Sequence, residues 1–128
     1  MADARRYLAK AEEFLAVAAD CLVAKRYIAA TGNAVHAAIN AADAVSGART
    51  RQRSTAHDHG KAIDLLEQAG RDGKELARQL RRLLPLKTRA EYDPDDVPLA
   101  TAAAAVDSAG KAVAVARRAL ASDYPGTP

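Results

Sequence analysis

The stretch LATAAAAVDSAGKAVAVARRAL, Leu99 to Leu120, decides the fold class. Within it Leu99, Ala102, Val106, Ala109, Val113, Ala116 and Leu120 recur in steps of three and four, which places them on one stripe of an α-helix. Alanine, the best helix former, fills much of the remainder. Pro98 suits the first turn, where its missing N–H costs nothing, and Asp95 or Asp96 stands near the cap. A helix from Pro98 to about Ser122 is predicted, followed by a frayed tail, Asp123–Pro128.

The same periodicity recurs upstream. Leu8, Ala11, Leu15, Ala18 and Leu22, widened by Phe14, Val17 and Cys21, predict a helix from about Asp3 to Ala24. Val35, Ala38, Ile39, Ala42 and Val45 predict a second from Tyr27 to Ser46, closed by Gly47. Gly32 inside it costs about 1 kcal/mol of propensity, which points to close packing there or to a later start. Gly47 to Ala56 reads as a basic loop. A short third helix follows from His57 or Asp58 to Ala69, and Gly70 and Gly73 bracket a turn. The fourth runs from Lys74 to Leu84, burying Leu76, Leu80, Leu83 and Leu84, and Pro85 is expected to end it. Lys87 to Pro98 is read as irregular. The sum is an all-α chain, an antiparallel bundle of about five helices: one domain over residues 1–122, with 123–128 as a flexible tail.

Composition agrees. In 128 residues the hydrophobic share is 49% and the aromatic share 4%, so the core must be built from alanine and branched aliphatics. Cys21, the sole cysteine, cannot form an internal disulfide and reads as a packing residue, which fits a reducing interior or an indifferent compartment. Asp3, Lys10, Glu12, Glu13 and Asp20 interrupt any signal segment, and no run of about 20 apolar residues is evident, so a cytoplasmic protein without membrane association is expected. Net charge is +3, unevenly spread: residues 49–89 hold 11 Lys/Arg against 5 Asp/Glu, whereas residues 90–128 hold 3 against 6. A basic middle attracts polyanions.

Four sets of residues can carry chemistry. Asn33, His36, Asn40 and Asp43 form a polar strip about 80° wide beside the apolar face of the second helix. It reads as a cleft lining or interface, or else as a solvated or internally satisfied flank. His57-Asp58-His59 follows the loop bearing Arg51 and Arg53; a histidine there can act as acid or base, and Asp58 as a helix cap. Two near-adjacent histidines without a placed thiol or carboxylate do not make a metal site. Lys87, Arg89 and Tyr92 combine two cations with a phenol that can stack on a base, or else the tyrosine plugs the end of the bundle. Lys74, Arg78, Arg81 and Arg82 make a basic stripe, a solvated face or an electrostatic footprint for nucleic acid. No phosphate-binding loop, dinucleotide fingerprint, nucleophile elbow or zincin motif is present, and no cofactor or metal is called for.

The order Tyr27-x-x-Ala…Asn33-Ala34-Val35-His36-Ala37-Ala38, then Ser54…His59, then Lys87-x-x-Ala90-Glu91-Tyr92 and a long last helix resembles the HEPN superfamily over roughly residues 7–121. The likeness is to its small stand-alone bacterial members, which carry an R-x-x-A-D-Y element; here lysine and glutamate replace the arginine and aspartate. Lysine keeps the charge and loses the planar fork. The resemblance implies a homodimeric bundle, often paired with a nucleotidyltransferase protein in toxin–antitoxin or defence systems. It also implies metal-independent endoribonuclease activity through R-x(4–6)-H, a spacing that Arg51/His57 and Arg53/His59 both meet. His59 is the better match to the family's histidine. On that basis His59, Arg53 and Arg89 are the expected catalytic set, and Lys87, Tyr92, Arg51, His57, Arg78 and Arg82 the expected RNA or nucleotide contacts. The rival expectation is a non-catalytic adaptor that dimerises or docks a partner through Asn33, His36, Asn40 and the alanine seams, and a third is a nucleotide-binding domain that uses the same basic pocket.

Overall fold

The computed structural model describes residues 2–49 and 59–122. It contains α1 (Ala2–Val23), α2 (Tyr27–Arg49), α3 (His59–Glu67), α4 (Gly70–Tyr92) and α5 (Leu99–Ser122), with no strand among the described residues. The all-α bundle expected from periodicity is the fold. α2 lies at its centre and packs on all four other helices.

Alanine makes this possible. Ala34, Ala37, Ala38 and Ala41 of α2, Ala11 and Ala18 of α1, and Ala105, Ala109, Ala112 and Ala116 of α5 are all buried in one core with Leu66, Leu76, Leu80 and Leu83. Small side chains on facing helices let the backbones approach closely. At one end Ala4, Ala44 and Leu120 meet, and at the other Ala30, Val97 and Ala102 meet. Hence α2 and α5 run in the same direction, and α1 runs against both. Cys21 is half-buried beside the second of these clusters, a packing position.

Several boundaries differ from expectation, each for a physical reason. The turn between α1 and α2 holds Lys25 at φ 63° rather than a glycine. The Arg26 N–H donates to the Cys21 carbonyl (2.8 Å) and the Lys25 N–H to that of Leu22 (3.1 Å), a Schellman closure made without its usual residue. α2 continues through Gly47 to Arg49, because Val45 and Ser46 are still buried. Gly32 neither starts the helix nor marks close packing: a Cβ there would meet nothing within 4 Å.

Gly70, at φ 79°, makes the turn from α3 and begins α4. Gly73 is no turn residue. A Cβ there would fall 2.1 Å from the Leu66 carbonyl oxygen, so it is the point where α3 crosses α4. Above all, Pro85 does not end α4. Its ring sits on the exposed side, where water can take up the carbonyl it orphans, while Leu83, Leu84 and Leu86 hold both flanks against the core.

Two apolar expectations also shift. Val17, assigned to the inner face of α1, is 42% exposed, and Leu99, first in the α5 stripe, is 55% exposed. By length and composition α5 is apolar enough to cross a membrane, contrary to expectation. Its alanine and valine face is instead spent on the core, and Asp107, Lys111, Arg117 and Arg118 mark the face that is not.

Candidate nucleic-acid interface

The polar strip of α2 resolves into two kinds of residue. The Asn33 side-chain amide donates to the Ala29 carbonyl, and that of Asn40 to the His36 carbonyl, both at 2.8 Å. These amides are satisfied by their own helix one turn back. His36 and Asp43 instead interact with α1. The His36 ring packs on Phe14 of α1 with centroids 5.4 Å apart. Its Nε2 lies 3.8 Å from Glu91 Oε1, within ion-pair range and too long for a hydrogen bond. Glu91 is also 3.5 Å from Lys87 Nζ, one turn earlier on α4. Burial raises the Asp43 carboxyl from 3.8 to about 6, opposed in part by the positive charge of Lys10 on α1.

Two features that looked separate in the sequence therefore meet: the strip on α2 and the Lys87–Tyr92 segment. They meet because α4 is unbroken, so that Glu91 projects sideways from a helix onto α2. The irregular segment begins only at Asp93, whose carboxylate accepts the Asp95 N–H in an Asx turn at 2.9 Å.

Helical geometry also separates residues that the sequence placed together. At roughly 100° per residue, Lys87 and Arg78 lie on opposite sides of α4. Lys87 is turned toward α2 and held by Glu91. Arg78, Arg82, Arg89 and Tyr92 instead share an exposed arc of about 80°. Tyr92 is 74% exposed, which overturns its reading as a plug for the bundle's end. Arg78 pairs with Glu75 at 3.3 Å, and Arg81, on the flank of this arc, pairs with Glu67 of α3. Arg82 and Arg89 have no carboxylate partner among the described residues.

Of the expected catalytic set, Arg89 stands on this outer arc. Arg53, Arg51 and His57 lie outside the described residues. His59 opens α3, and its side chain likewise lies outside them. Among the described residues no cluster of three or more His, Cys, Asp or Glu could hold a metal. Sequence reading missed Phe14 and Lys10 as partners of the α2 strip. Both stand on α1 at positions that only the packing of α1 on α2 brings close.

No curated protein matches the chain. The model of the HEPN domain family matches residues 4–122, spanning every described helix and both polar features joined at α2 and α4; the chain belongs to the HEPN domain family.

Proposed function

We propose that this HEPN domain binds RNA in the cytoplasm as a homodimer, and that its activity is metal-independent endoribonucleolysis alongside a nucleotidyltransferase partner protein. The observation that supports binding most directly is the outer face of α4: Arg78, Arg82 and Arg89 in line with an exposed Tyr92. Arginine supplies bidentate phosphate contacts, and a tyrosine at the end of the row offers one base a stacking surface. In the cleaving form, His59 takes the proton from a ribose 2′-hydroxyl as its oxygen attacks the adjacent phosphorus, and the 5′-oxygen of the next nucleotide leaves with a proton from water. Arg53 and Arg89 stabilise charge on the scissile phosphate, and Arg51 and His57 contribute RNA contacts. Lys87 takes the supporting role of holding Glu91, and hence His36, in register.

Labelled RNA mixed with the protein in chelator, over a range of salt, tests both parts. Binding that weakens with salt, weakens about 5- to 100-fold further in Tyr92→Ala, and is accompanied by cleavage that His59→Ala abolishes, is expected. RNA that stays unbound at low salt would sink the reading.

One observation favours a second reading, a docking module. The alanine seams of α2 are consumed by the protein's own core and are closed to partners. A groove of about 730 Å³ instead opens where the α1–α2 turn faces the start of α5, between Tyr27, Ile28, Val97 and Leu99. Lys25 and Arg26 flank it on one side and Asp96 on the other, a self-complementary charge pattern suited to a second copy of this chain. Loss of the dimer in Ile28→Glu or Leu99→Glu, read by light scattering, is the expected outcome.

A further inference from the structure

The unbroken course of α4 has a consequence at its other end. Arg71 and Lys74 lie on the same arc of about 80° as Arg78, Arg82 and Arg89, so the basic row starts at the first turn of the helix. From Arg71 to Arg89 it runs roughly 27 Å at 1.5 Å per residue. Beside its first half the surface is concave. A groove of about 460 Å³ lies between α4 and α5, walled by Arg71, Lys74 and Arg78 on one side and Lys111 and Arg118 on the other, with Ala114 and Val115 as the floor. Lys111 and Arg118, seven residues apart, share one face of α5 and stand about 10 Å apart along it.

Three carboxylates already engage these cations. Asp72 holds Arg118 (3.1 Å), Glu75 holds Arg78 (3.3 Å) and Asp107 holds Lys111 (3.1 Å). Five cations against three carboxylates leave a surplus of two. The cations left over are Arg71 and Lys74, both exposed and with no carboxylate partner among the described residues. The three pairs fix the walls, while Arg71 and Lys74 stand available to a ligand from outside. Among the described residues no aromatic side chain lines the groove, so it offers no ring on which a base can stack.

From this we infer that the α4–α5 groove is a sequence-independent site for the phosphate backbone of single-stranded RNA. The strand leads from the groove along the outer face of α4 to Tyr92. Two basic walls over an apolar floor suit a chain of evenly spaced anions. A row that continues for several turns beyond the groove favours an extended polyanion over a compact one. The inference rests on the RNA-binding reading above and extends it to Arg71, Lys74, Lys111 and Arg118.

The test uses the full chain and fluorescence anisotropy with two labelled RNAs of mixed sequence, about 4 and about 16 nucleotides long. Arg71→Ala/Lys74→Ala breaks no ion pair among the described residues. It is expected to weaken binding of the longer RNA about tenfold and to reduce the slope of log K against log salt by about 1.4, the value for two lost contacts on a single strand. The short RNA, bound near Tyr92, should be unaffected. Tyr92→Ala should weaken both. If the double variant leaves the longer RNA's affinity and salt slope unchanged while Tyr92→Ala still weakens it, the groove is overturned and the RNA reading survives. Loss in the double variant with none in Tyr92→Ala keeps the groove and removes the proposed centre. Polyglutamate that displaces the longer RNA as well as unlabelled RNA of equal charge does would overturn the assignment to nucleic acid.

Discussion

Lys25 shows how a single residue can stand in the wrong chemistry for its conformation. It occupies the left-handed region at φ 63°, where a Cβ crowds the following carbonyl at a cost of roughly 1–2 kcal/mol. The two closing hydrogen bonds to Cys21 and Leu22 and the packing of both flanking helices hold it there. Lys25→Gly removes the crowding and is expected to stabilise the protein by about 0.5–1 kcal/mol, less than the full strain because glycine gains entropy in the unfolded chain. Urea titration checks this; an unchanged or lower midpoint would contradict it. The opposite lesson comes from Gly73, whose hydrogen is all that separates α4 from the Leu66 carbonyl. Glycine is needed at position 73, where α3 and α4 touch, and is missing at position 25, where the chain turns from α1 into α2, and neither position is marked as such by its neighbours in sequence.

Among the elements, α4 carries the most function and the least regular sequence. Proline inside a helix typically costs about 3 kcal/mol, yet the helix runs seven residues past it to Tyr92. Leu86 against the core, the Lys87–Glu91 pair within α4 and the His36–Glu91 contact to α2 hold the last two turns in place. Pro85→Ala restores the missing N–H on an exposed face. Thermal unfolding is expected to shift upward, by an amount equivalent to about 1–3 kcal/mol, with helical content by circular dichroism unchanged or higher. A drop in helicity would show that Pro85 is itself required to seat Leu86 and Glu91. Without that continuity Arg89 and Tyr92 would not stand in line with Arg78 and Arg82, and the face proposed to bind RNA would be two unrelated patches.

At the scale of the whole molecule, the packing of α1 and α2 sets one pH dependence. Asp43, raised to about 6 by burial, binds its proton more tightly in the folded than in the unfolded chain. Stability is therefore undiminished by this group below its ordinary value near 3.8, falls as pH rises from there to about 6, and is level above. Asp43→Asn removes the penalty. The variant is expected to match the parent near pH 4 and to exceed it by on the order of 1–2 kcal/mol at pH 7, after allowance for the lost attraction to Lys10 and for solvent screening. Denaturant unfolding at the two pH values decides; equal stabilities at pH 7 would refute the burial effect.

Much of this protein could be read from its amino acids alone. The three-and-four spacing of Leu8 to Leu22, Val35 to Val45 and Leu99 to Leu120 determined that it is helical and which faces turn inward, because helix periodicity and hydrophobic burial act locally and leave a local trace. The strip from Asn33 to Asp43 and the basic row of α4 were visible for the same reason. Tertiary structure alone decided that α4 survives Pro85, that His36 meets Glu91, that Lys87 turns in while Tyr92 turns out, and that α5 supplies the second wall of a basic groove. Each of those outcomes depends on packing between helices far apart in the chain, whose energy outweighs the local preference of any one residue and is written at no single position in the sequence.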